Sequence, residues 1–145
     1  MKKLLSIFVL IGLLVFAGCQ KHTEALETGV AGADETSAIG ALRAILLAER
    51  TYNLTNSGEF GTLQQLVQGG FLDSRFAGGR PAKDYILTLN VVAKEGVAPE
   101  GSFSCNADPD TALRRKGRHF YIDSTSTTIH VNTDQPASVS DPSLQ

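Results

Sequence analysis

The apolar pattern of this 145-residue chain changes period once, and that change limits the folds open to it. Across "TSAIGALRAILLAERTYNLTNSG", residues 36–58, Ile39, Leu42, Ile45, Leu46 and Tyr52 recur at helical spacing, with Arg43, Glu49 and Arg50 elsewhere. That spacing predicts an α-helix of roughly 18 residues with one broad apolar face. Asp34 or Thr36 can cap its start, and Gly58 closes it. From residue 85 the period is two. "YILTLNVV" (85–92) alternates Tyr85, Leu87, Leu89 and Val91 against Ile86, Thr88 and Asn90, and "SFSCNA" (102–107) sets Phe103, Cys105 and Ala107 on one face. "RHFYID" (118–123) and "TTIHVN" (127–132), joined by a short Ser/Thr turn, read as a hairpin. Placing Phe120 and Ile122 with Ile129 and Val131 on the buried face puts His119, Tyr121, Thr128 and His130 on the other.

Between the two regimes, "TLQQLVQGG" (62–70) reads as a short helix that turns Leu63, Leu66 and Val67 inward and ends at Gly69-Gly70. "DSRFAGGRPAKD" (73–84) reads as a loop. The expected class is therefore α+β: a long N-terminal helix packed on a small antiparallel β-meander of about four strands.

The first residues carry a different message. Met1, Lys2 and Lys3 precede "LLSIFVLIGLLVFAG", an apolar run of fifteen residues that ends at Cys19. A basic start, an apolar stretch and a small-residue exit describe an export signal, and the run is short for a spanning helix. Phe16, Ala17, Gly18 and Cys19 resemble the lipobox of bacterial lipoproteins, with Phe16 where leucine is usual. The resemblance implies that residues 1–18 are removed, that Cys19 is acylated on its thiol and its new amino group, and that palmitate-type chains hold the protein to a membrane without spanning it. Gln20 resembles the outer-membrane class of such proteins in two-membrane cells, which implies a periplasmic or surface-facing location.

Cleavage would take away two lysines and no acid, so the net charge falls from −2 to −4. An acidic chain of this kind argues against nucleic acid as a partner. The basic run "RRKGRH" (114–119) is the local exception and reads as a solvated loop. Residues 20–35, polar and small, read as a flexible tether behind the lipidated Cys19, so that 19–35 is one segment. The tail 133–145, with two prolines, is expected to be disordered or loosely laid on the surface. One domain, 36–132, remains.

"AIGALRAILLAERTYNLTNSGEFGTLQQL" resembles the second half of the long helix, and the loop after it, of type IV pilins and type II secretion pseudopilins. The Ala/Leu helix, the Tyr, Gly58-Glu59-Phe60 and the Leu63–Leu66 turn carry the likeness, and "KDYILTLNV" and "GRHFYIDSTSTTIHV" extend it to the closing hairpin. It implies a pilin-like head over 36–132. It does not carry filament assembly with it, because a lipobox and a polar tether replace the continuous apolar helix and early glutamate of pilins.

Few residues suggest chemistry. His119 and His130 share one face of the hairpin, and cross-strand histidines can hold zinc or copper, but a site wants about four ligands and the nearest candidates are Asp123 and Tyr121. Two solvated histidines is the simpler reading. Asp108, Asp110 and Asp123 could gather at calcium, though "DPDTALRRKG" lacks the dense oxygen spacing of a calcium loop. Cys105 is either a reactive thiol or a small buried hydrophobe, and the alternation of "SFSCNA" favours burial. No nucleophile elbow, phosphate loop or HExxH occurs. The expectation is a membrane-anchored envelope protein without catalysis or cofactor, working by contact with a protein partner, in the setting of a pilus or type II secretion apparatus. The alternative is a periplasmic ligand-binding or enzyme-accessory lipoprotein.

Overall fold

The computed structural model describes residues 31–95, 101–113 and 117–144. Residues 1–18, Cys19 and the first part of the tether, 20–30, lie outside them. Asp34–Gln145 forms one compact unit. Among the described residues no helix is long and apolar enough to cross a membrane.

Residues 31–55 are helical (α1), so the helix is longer than its apolar stripe alone predicts. Asp34 and Thr36 are not caps, and 31–35 are not tether. Two contacts explain the early helix: Ala38 is fully buried and Glu35 is tied to Arg118, so the segment is held from both sides despite the roughly 1 kcal/mol propensity cost of Gly32. Leu42 and Ile45 are fully buried and Leu46 nearly so, as the spacing requires. α1 ends where Ser57 and Gly58 take left-handed backbone angles, with Gly58 N–H bonded to Asn53 O at 3.0 Å.

Helix α2, Leu63–Gln68, opens on a reciprocal cap: Gln65 N–H reaches Thr62 Oγ1 at 3.3 Å, and Gln65 Oε1 accepts Thr62 N–H at 2.8 Å. Leu66 is buried, Leu63 and Val67 pack against the core, and Gly69 and Gly70 close the helix as expected. The expected loop 73–84 contains a 3₁₀ turn, Ser74–Phe76, because Asp73 caps it through Arg75 N–H and Phe76 is buried.

Four strands follow: β1 Tyr85–Val92, β2 Ser102–Pro109, β3 His119–Asp123 and β4 His130–Asn132. They form one antiparallel sheet in the order β1-β2-β3-β4, the meander that the pattern predicts. The last strand is shorter than "TTIHVN", since Thr128 N–H bonds Ser126 Oγ in a turn instead of a ladder. Phe120 stands opposite Val131 and Tyr121 opposite His130, so the assigned faces hold. Phe103, Cys105, Ala107, Phe120, Ile122 and Ile129 are buried in one core with the stripe of α1.

The tail departs furthest from expectation. It is anchored along β4: Val131 N–H donates to Pro142 O at 2.9 Å, Leu144 N–H donates to Ile129 O at 2.7 Å, and Ala137 is buried with its carbonyl bonded by Asn106 Nδ2. Poor apolar content hides this anchoring in the sequence, because polar groups carry it. Asp141 accepts from Ser138 N–H (2.7 Å), Ser138 Oγ (2.8 Å) and Asn132 Nδ2 (2.7 Å). These donors hold its carboxyl below the usual range, the Ser138 hydroxyl foremost. At the opposite edge, Gly79 O takes Leu87 N–H at 2.7 Å. A Cβ on Gly79 would stand 2.9 Å from Leu87 O, and its φ is +67°, so this contact needs glycine.

Two outcomes follow from this packing. Phe120→Ala should cost about 3–5 kcal/mol in denaturant unfolding, the range for a buried phenylalanine, while Leu47→Ala on the outside of α1 stays within about 0.5 kcal/mol. Asp141→Ala should speed hydrogen exchange at the Val131 and Leu144 amides and leave the Phe120 amide protected; unchanged exchange at all three would mean that Asp141 does not hold the tail.

Candidate functional site

The two histidines do share a face, diagonally placed: His119 stands opposite Asn132 and His130 opposite Tyr121. Each ring is engaged separately. His119 Nδ1 lies 2.7 Å from Asp108 Oδ1, and His130 Nδ1 lies 2.7 Å from the Asp141 carbonyl oxygen. A carbonyl only accepts, so His130 carries its proton on Nδ1. Neither ring is solvated in the expected way, because the tail covers one and Asp108 the other. Asp123 is occupied by Thr125 N–H at 2.9 Å and Thr125 Oγ1 at 2.6 Å. Among the described residues no group of three or more His, Cys, Asp or Glu is placed to hold a metal ion.

The three acids considered for calcium are also dispersed. Asp108 faces His119, Asp123 stands opposite Ser104 four residues along β2, and Asp110 is buried with Arg80 and Ala112 N–H. The bond from Arg80, ahead of that from Ala112, keeps the Asp110 carboxyl below its ordinary range.

Of the basic run, residues 114–116 lie outside the described residues. Arg118 corrects the solvated-loop reading. Its Nε and Nη2 donate to Glu35 Oε2 at 3.1 and 2.8 Å, and its backbone N–H donates to Glu35 Oε1 at 3.1 Å. Tyr85 Oη donates to Arg118 O at 2.8 Å. A fork of this kind binds α1 to the start of β3 with directional bonds, beyond the charge attraction.

Sequence reasoning missed the role of Glu49. It stands seven residues after Leu42 and four after Ile45, so it belongs to the buried stripe by spacing, and its 0 % exposure confirms it. Reading it as an exterior position followed residue type over period. Its Oε2 accepts Gly61 N–H at 2.8 Å, and its Oε1 has no hydrogen-bond partner. Gly61 is packed so closely that a Cβ would meet Leu66 at 3.1 Å and the Tyr52 ring at 3.3 Å. The carboxylate thus pins the turn after α1 against the helix.

Burial pushes the Glu49 carboxyl up to about 7, partly offset by the Gly61 N–H. Cys105 is fully buried between Leu89 and Ile122 in the ladder, and burial, followed by the charges of Glu49 and Asp108, pushes its thiol up. A buried, protonated thiol is inert as a nucleophile, which matches the packing role.

The linkage at Glu49 has a definite sign. The folded protein binds this proton more tightly than the unfolded chain, whose carboxyl sits near 4.5. The stabilising contribution is full below pH 4.5 and is lost as pH rises to about 7, a change of about 3 kcal/mol. Unfolding free energies of wild type and Glu49→Gln should therefore diverge across that window, the variant gaining on wild type as pH rises. Parallel pH profiles would show that Glu49 does not titrate in the fold.

One open cavity of about 600 Å³ lies beside the C-terminal end of α1. Arg50 and Asn53 from the helix, Phe60 and Phe103, and Ser102 and Thr125 line it. The two rings are 5.2 Å apart and tilted by 57°. No acidic side chain lines it among the described residues.

No protein-family model, curated protein or solved structure matches this chain, so the assignment of a role rests on its own residues and geometry.

Proposed function

We propose that the chain is a lipid-anchored protein of a bacterial envelope whose pilin-like head works by contact with a protein partner and carries out no chemistry. The observation that carries this reading is "VFAGC" behind a basic start and an apolar run, which resembles a lipobox and makes Cys19 the acylation site. Two or more acyl chains give stable attachment where one gives only marginal binding. Support for the head comes from element order: a long helix, a Gly-aromatic turn at 58–60, a short Leu-rich helix and a four-stranded antiparallel meander. That order is what the resemblance to type IV pilins and type II secretion pseudopilins implies, and a place beside such an apparatus is part of the proposal. Non-catalytic action is supported by the titratable groups described above: His119, His130, Asp123 and Asp110 are engaged in structural bonds, and Cys105 is sealed in the core.

A second reading, a ligand-binding lipoprotein of the periplasm, is favoured by the cavity beside α1, whose rings and hydroxyls could take a small amphipathic molecule.

Labelled palmitate should enter the wild-type protein and not Cys19→Ser, and the variant should leave the membrane fraction. Equal labelling of both would end the anchor reading.

A further inference from the structure

The long helix carries a second stripe that the core does not use. Arg43, Leu47, Arg50 and Leu54 follow one another at steps of four, three and four residues, which gathers them on one face. All four are exposed, Leu47 at 68 % and Leu54 at 85 %. None of the exposed positions of α1 between Thr36 and Thr55 is acidic, although the chain as a whole is. At its C-terminal end the stripe runs into the cavity described above, where Asn53 and Ser102 add polar side chains and no acid is among the lining residues.

We propose that this face of α1 rests on an anionic phospholipid surface, with Arg43 and Arg50 at the phosphates and Leu47 and Leu54 among the outer ends of the acyl chains. The proposal builds on the lipid-anchor reading above. Charge complementarity selects the occupant: cations alternate with large apolar side chains, the arrangement by which interfacial helices bind anionic lipid. A second copy of the chain is disfavoured, because a two-fold contact through this stripe gathers four arginines in one interface and brings no acid of the stripe to pair them. The tether permits the contact. Twelve residue steps separate Cys19 from residue 31, a reach of up to about 43 Å, while the far end of the stripe, Leu54, lies about 35 Å along the helix from residue 31. Resting on this face, the head turns α1 to the bilayer and its sheet away from it.

The chain contains no tryptophan, so Leu54→Trp installs a single fluorescent reporter at an exposed position. The mature protein is recovered from its membrane and reconstituted into phosphatidylcholine vesicles with or without phosphatidylglycerol. The anchor is the same in both, so a difference reports the headgroups alone. The expected result is a blue shift, and quenching by brominated acyl chains, in the anionic vesicles only. Arg43→Gln with Arg50→Gln should weaken the contact about twenty-five-fold, at roughly five-fold per basic residue. Val92→Trp, exposed on β1, should show no shift. Identical emission in the two lipids overturns the proposal, as does a shift that follows protein density instead of lipid charge, which would signal a second copy. Protein retained by both vesicles without a shift upholds the anchor and overturns the contact. Protein bound to the anionic vesicles alone overturns the anchor and upholds the contact.

Discussion

The fold depends on burying one stripe of α1 against one face of a four-stranded sheet. Neither element satisfies its apolar surface alone: the helix offers Leu42, Ile45 and Leu46, and the sheet offers Phe103, Cys105, Phe120 and Ile122. A domain of this size has room for one such interface. The other devices protect it. α2 and the Phe76 turn fill one side of the core, and Glu35 with Arg118 fixes the helix to β3.

Inside this apolar interface the chain places one carboxylate. Glu49 gives up packing that a leucine could supply, and in return aims an acceptor at the Gly61 amide. A buried amide left without a partner is costly, and the turn after α1 passes so close to the helix at Gly61 that a Cβ there would crowd Leu66 and the Tyr52 ring. The same turn delivers Phe60 to the cavity wall beside Phe103. The buried acid and the shape of the cavity are therefore set by one short segment.

Much of this was legible. Period two from residue 85 marked β1 and β2 and sorted the hairpin faces, because a one-residue slip would have exposed Phe120 and Ile122. Period 3.6 found the core side of α1, and the Gly-Gly pair marked the end of α2. What was not legible rests on partners distant in sequence. Glu35 looks like tether because Arg118 stands 83 residues away, and residues 133–144 look loose because their bonds go to β4 and its approach, to Asn106 and to one another. Glu49 is the instructive failure: spacing put it inside, residue type argued it outside, and the single amide that resolves the conflict comes from a turn. The face of the histidines is legible and their surroundings are not, since the tail reaches His130 and Asp108 of β2 engages His119.

Cys105 has a use that the packing provides. Its sulfur is sealed at the centre of the sheet, in register with Leu89 on one side and Ile122 on the other, beneath α1. A thiol reagent can reach it only after helix and sheet separate, so its alkylation under native conditions is a clock for the opening of the whole core. Fraying of the tail or of β4 leaves that clock untouched, and this buried thiol thereby distinguishes the loosening of an edge from the opening of the domain.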